Sequence, residues 1–172
     1  MKKLLILIIA TSFSLTVKAK KPLETVDYVD LNRYMGKWYA LKSLPQIFTI
    51  GCKYQTAEYK LLSNQEVSVL NTCIRSFGSS QVKGVATVDN AQTNADLSVQ
   101  FKLFGGIFRP KGDYKILALD EDYQYVLVGS ENLKSLWLMS RDKTMPDEIV
   151  KEYILIAKEF GFKTNELVDS HF

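Results

Sequence analysis

Between residues 38 and 141 hydrophobic and polar positions alternate in short runs, and the period is close to two. Val67 and Val69 flank Ser68, and Leu97, Val99, Phe101 and Leu103 interleave with Ser98, Gln100 and Lys102, which is how a strand with one buried face reads. On this basis the chain predicts strands over 38–43, 53–62, 66–75, 81–88, 96–104, 113–120, 124–130 and 135–141. The connections include SNQ at 63–65 and DNAQTNA at 89–95, short polar stretches that suit antiparallel neighbours in an up-and-down meander.

The period changes once. In TMPDEIVKEYILIAKEFGF, residues 144–162, Ile149, Tyr153, Ile156 and Phe160 recur at helical spacing and predict an amphipathic helix with one face packed on something else. Thr144 with Asp147 resembles a cap, Pro146 suits a first turn, and Gly161 stands where a helix commonly stops. Eight strands followed by one helix leave two unpaired sheet edges unless the sheet closes into a barrel. A closed eight-stranded barrel is either filled by its own side chains or holds one small ligand. Both readings are open at this point.

The first residues belong to a different regime. MKKLLILIIATSFSLTVKAK has two lysines, an apolar run and the small-residue signal Val17-Lys18-Ala19, the pattern of a secretory signal peptide over residues 1–19. The run is shorter than the roughly 20 apolar residues a membrane-crossing helix needs. The whole chain has 22 Lys+Arg and 19 Asp+Glu; loss of Lys2, Lys3 and Lys18 leaves 19 of each, so the expected mature chain is formally neutral. It therefore lacks the basic footprint of a nucleic-acid binder. Residues 20–172 are the size of one domain, with no linker or repeat to divide them.

Three short motifs now carry a resemblance. Gly36-Lys37-Trp38 opens the first strand, Asp122-Tyr123 falls in the turn between the sixth and seventh, and Arg141 closes the eighth, ahead of the helix. In this order the chain resembles the lipocalin family, although Glu121 stands where that family's second motif has threonine. GCKYQTAEY and VSVLNTC are most similar to its bacterial, apolipoprotein-D-like members. The resemblance implies an all-β fold, an eight-stranded antiparallel barrel with one C-terminal helix outside. It implies that Gly36, Trp38, Asp122, Tyr123 and Arg141 are structural, with Trp38 plugging the closed end and Arg141 packed across it. It also implies non-covalent binding, storage or transport of a lipophilic molecule, a fatty acid or lysophospholipid, linked to membrane maintenance. Many bacterial members carry a lipid-anchoring cysteine at the signal cleavage site; no cysteine precedes Cys52, which implies a periplasmic or exported protein whose membrane contact is transient.

If Trp38 closes one end, the loop after the first strand lies at the mouth. LPQIFTIG, residues 44–51, is unusually apolar for a connection, and Ile47, Phe48 and Ile50 either fold over the barrel as extra core or form a lid at the entrance. Taking the apolar members of each strand as inward, the expected ligand-binding wall is Tyr59, Val69, Asn71, Val85, Phe101, Tyr114, Ile116, Trp137 and Met139. Cys52 and Cys73 are candidates for a disulfide, but a hairpin centred on SNQ sets Cys52 opposite residue 76, so a bond requires a bulge or bend.

Two other functional classes stay open: a filled barrel that presents its loops to a partner, and an enzyme on this fold. The enzyme reading is disfavoured, because the sole histidine, His171, is next to the last residue and expected to fray. A Ser-His-Asp arrangement or a histidine metal site is then out of reach. FGGIF at 104–108 lacks the Lys-Ser/Thr of a phosphate loop. No cofactor or metal is expected.

Overall fold

The structure is a computed structural model that describes residues 22–172. The expected signal peptide at 1–19 lies outside the described residues. Eight strands follow one another: β1 (Gly36–Ser43), β2 (Tyr54–Ser63), β3 (Glu66–Ile74), β4 (Ser79–Val88), β5 (Asp96–Lys102), β6 (Lys111–Leu119), β7 (Tyr125–Gly129) and β8 (Leu136–Ser140). Each pairs antiparallel with the next, β8 pairs with β1, and β1 pairs with β2 to close the barrel. A short helix α1 (Leu31–Tyr34) precedes β1, and the long helix α2 (Asp147–Phe160) follows β8.

The apolar residues divide between two cores. Trp38, Val67, Val69, Leu97, Val99, Ile116, Val126 and Val128 face into the barrel, while Leu117, Leu127, Leu136 and Leu138 point out and meet Tyr153, Ala157 and Phe162. YVLVG and LWLMS read as nearly continuous apolar runs because β7 and β8 are covered on both faces, by the barrel interior and by α2. Gly129 is part of that packing: a Cβ there would sit 2.6 Å from the Phe162 ring and 2.9 Å from Leu117.

The helix begins differently from expectation. Pro146 is the N-cap residue and no side chain caps the turn, so Thr144 and Asp147 do not form the predicted cap. Instead the Thr144 carbonyl accepts a hydrogen bond from the Ser140 hydroxyl at 2.9 Å, and Asp147 and Glu148 supply the negative charge that a helix N-terminus favours. Gly161 ends the helix in the left-handed conformation at φ 93°, as its position predicts.

The chain's end corrects a second expectation. Residues beyond α2 return to the barrel, where a ninth strand, β9 (Val168–Asp169), pairs with Lys42 and Ser43 at the end of β1. The Ser170 amide donates to Leu41 O at 2.8 Å and the His171 amide to Lys53 O at 2.7 Å, and the Phe172 ring packs on Tyr39 and Tyr54. His171 is therefore held, not frayed. The tail fills the place where β1 and β2 part company, since their pairing ends at Ala40 and Gln55.

Candidate functional site

The closed end is built around Trp38. It is fully buried, its indole N–H donates to Tyr34 O at 3.0 Å, and the Arg141 guanidinium lies 3.8 Å over its ring. Arg141 also donates to the carbonyls of Arg33, Tyr34, Lys37 and Tyr123, so one cation ties α1, β1 and the β6–β7 turn together. Gly36 has φ 98°, and a Cβ there would come within 3.3 Å of the same guanidinium. Tyr123 is buried and its hydroxyl accepts from the Asp30 amide at 2.8 Å, whereas Asp122 is exposed in the turn.

Above this floor stand three tyrosines. The Tyr34 and Tyr114 hydroxyls are 2.6 Å apart and those of Tyr59 and Tyr114 are 3.1 Å apart. Burial pushes all three upward in pKa, Tyr59 to about 12, and the Tyr34 and Tyr114 hydroxyls are further raised by their phenolic neighbours. An unfolded tyrosine ionises near pH 10. Above that pH the folded state thus holds more protons than the unfolded state, and stability falls as pH rises toward the folded values. Urea-denaturation stability is expected to stay flat from about pH 8 to pH 10 and then to drop by up to about 1.4 kcal/mol per pH unit for each of the three hydroxyls. A flat curve to about pH 11.5 would mean that the hydroxyls are solvated in the folded state.

The rest of the interior is a cavity of about 540 Å³. That volume lies within the usual range for small-molecule pockets. Tyr59, Val69, Asn71, Phe101, Tyr114, Ile116, Trp137 and Met139 all line it. Val85 does not. It pairs with outward-facing Ser68, and the inward positions of β4 are Val82, Gly84 and Ala86. The apolar signal misleads there because glycine and alanine occupy the inner face. Gly84 is small for a reason: a Cβ would lie 2.9 Å from Gln100 O and 3.0 Å from the Phe101 ring that crosses it.

At the mouth, Leu44 packs into the outer core, while the rest of the loop 44–53 lies at the rim. Phe48 borders the cavity, while Ile47 and Ile50 are exposed and point away. A short turn over Ile47–Thr49, in which the Gln46 N–H donates to the Thr49 hydroxyl and that hydroxyl donates to the Gln46 carbonyl, sets those directions. The cysteines are bonded across the base of this loop, with Cα atoms 5.4 Å apart. The β2–β3 ladder begins at Tyr54 opposite Ile74, and continued in step it would set residue 52 opposite 76, but Cys52 lies ahead of the ladder, where Gly51 has φ 76°, and from there it reaches Cys73.

The lipocalin-like domain model matches residues 29–171. The chain belongs to the lipocalin family. It is 36% identical over 145 residues to the outer membrane lipoprotein Blc of Vibrio cholerae, covering 81% of this chain and 80% of that protein. It is 34% identical over 128 residues to bovine apolipoprotein D, covering 70% of this chain and 65% of the other. Insecticyanin of the tobacco hornworm superposes with a TM-score of 0.72 at 17% identity, covering 88% of this chain and 85% of that one, which establishes the shared fold.

Family membership points to the binding of small hydrophobic molecules, and the site has the matching composition. Several wall residues of this lipocalin carried no sequence signal: Tyr34 precedes the first strand, Ala40 and Ala57 are small, and Phe108 and Lys111 sit in or beside a loop. Among the described residues no group of three or more His, Cys, Asp or Glu could hold a metal ion, and no helix is long and apolar enough to cross a membrane.

Asn71 has a property the others lack. Asn71 lines the cavity, but its Oδ1 is buried away from that space and has no hydrogen-bond partner in the protein.

Proposed function

We propose that this lipocalin is an exported carrier of one elongated lipophilic molecule, a fatty acid or lysophospholipid, held non-covalently in the barrel and moved or stored in membrane maintenance. The observation that supports it is the cavity itself, about 540 Å³ and open at the mouth, where a filled barrel would have packed side chains. Each buried methylene contributes about 0.8 kcal/mol, so ten of them supply roughly 8 kcal/mol before association costs. The acyl chain runs toward the tyrosine floor, whose hydroxyls satisfy one another, and the head group stays near Lys111 and Asn132.

Native mass spectrometry of the protein purified from its own export pathway, followed by denaturing extraction, tests this reading. One co-purifying lipid per chain is expected. A bare protein that also refuses a lipophilic fluorophore would overturn the carrier reading in favour of a partner-binding barrel.

A further inference from the structure

Seven of the thirteen exposed large hydrophobic side chains among the described residues fall on three loops, 44–53, 75–78 and 103–110. All three loops join strands at the mouth. Ile47 and Ile50 are 90% and 71% exposed on the first, Phe77 is 96% exposed on the second, and Phe104 and Ile107 are 82% and 91% exposed on the third. The remaining two, Phe48 and Phe108, are about half exposed and also border the cavity. Glycines at positive φ turn the tips: Gly51, Gly78, Gly105 and Gly106. Apolar clusters of this extent on a soluble surface mark a binding face.

Charge divides the molecule along the same axis. The three loops carry Lys53, Arg75 and Arg109 and no carboxylate, and the fourth mouth loop, 130–135, adds one charge of each sign, Glu131 and Lys134, which leaves the rim net cationic. At the closed end, loops 64–65, 89–95 and 120–124 carry Asp89, Asp120, Glu121 and Asp122 and no cation. The formal neutrality of residues 20–172 therefore hides an uneven distribution: the mouth loops are net cationic and apolar, while the floor turns are net acidic beside the Arg33, Lys37 and Arg141 cations of the closed end.

We propose that the mouth loops are a docking face for an anionic lipid bilayer, on which the barrel stands upright with its cavity opening into the leaflet. Isolated Phe and Ile side chains on separate loops around an opening suit a fluid leaflet, which accepts each one individually, and the three cations face the lipid phosphates. A folded protein partner would need a continuous surface and would seal the entrance. The acidic floor is repelled by the same membrane, which fixes the orientation. The role of this face rests on the carrier reading, since it lets a lipid pass between leaflet and cavity without crossing water.

Flotation with vesicles of phosphatidylethanolamine and phosphatidylglycerol, compared with phosphatidylcholine alone, tests the face. The protein is expected to float with the anionic vesicles and to be released by salt. The triple variant Ile50→Ser, Phe77→Ser, Ile107→Ser removes only exposed side chains and is expected to bind at least about tenfold more weakly. Lys53→Gln with Arg109→Gln is expected to lose roughly fivefold per cation on anionic vesicles and nothing on neutral ones. Docking is overturned if the wild type ignores vesicles, if the triple variant floats unchanged, or if that variant loses self-association instead. Fluorophore uptake is read in parallel: uptake without flotation sinks docking and leaves the carrier reading standing, and flotation without uptake does the reverse.

Discussion

Trp38→Ala is expected to destabilise the fold by about 4 kcal/mol, more than any other single truncation on the barrel wall. The indole is fully buried, donates to Tyr34 O and carries the Arg141 guanidinium on its face. Truncation removes the transfer energy of a large ring and leaves a void that the strands around it cannot fill; buried Trp to Ala changes cost about 3–5 kcal/mol. The cation–π contact adds about 0.5–2 kcal/mol, because the guanidinium keeps its carbonyl partners but loses its apolar cover. Domains of this size have about 5–15 kcal/mol in total, so the variant sits near the edge of folding. Trp38→Phe keeps most of the ring and is expected to cost much less. Urea denaturation of the two variants measures this, and an unchanged midpoint for Trp38→Ala would refute the plug.

How much of this was legible in the sequence depends on what each residue does with its two faces. β3 and β5 announce themselves, because Val67 and Val69, or Leu97 and Val99, face the interior while their neighbours are polar. β4 conceals its parity, since its inner face carries Gly84 and Ala86 and its one prominent outward apolar residue is Val85. The tail's docking leaves no periodic trace: it rests on the backbone amides of Ser170 and His171, the Ser170 hydroxyl on Ala40 O and the Phe172 ring against Tyr39 and Tyr54, single contacts with no repeat.

The mouth was hidden for a different reason. Phe104, Ile107 and Phe77 have the composition of core residues, and only the glycine-turned loops that carry them show that they point outward. Asn71 read as one polar position in an apolar wall; its unpartnered oxygen is visible only when the neighbours from β2 and β4 are in place. Local pattern thus identifies the barrel and its plug, while the polarity of its two ends emerges from closure, which gathers distant loops into one rim.

Val82→Trp is expected to weaken binding of a long-chain lipid by roughly 50-fold while leaving stability intact or slightly raised. Val82 projects into the barrel from β4 opposite Asn71, yet it is only half-buried, because its free surface faces the cavity. An indole there displaces solvent and not packed atoms, so the overpacking strain of a filled core does not arise. Exclusion of about three methylenes at about 0.8 kcal/mol each removes about 2.4 kcal/mol, which is the 50-fold loss. A short-chain probe that stops above Val82 loses little, and vesicle flotation, which depends on the rim, is unaffected. Fluorophore displacement by lipids of graded chain length reads this directly, with the urea midpoint as the control for folding. Equal loss at every chain length would mean that the mouth had been distorted. No loss at all, in a folded variant, would place the lipid outside the barrel.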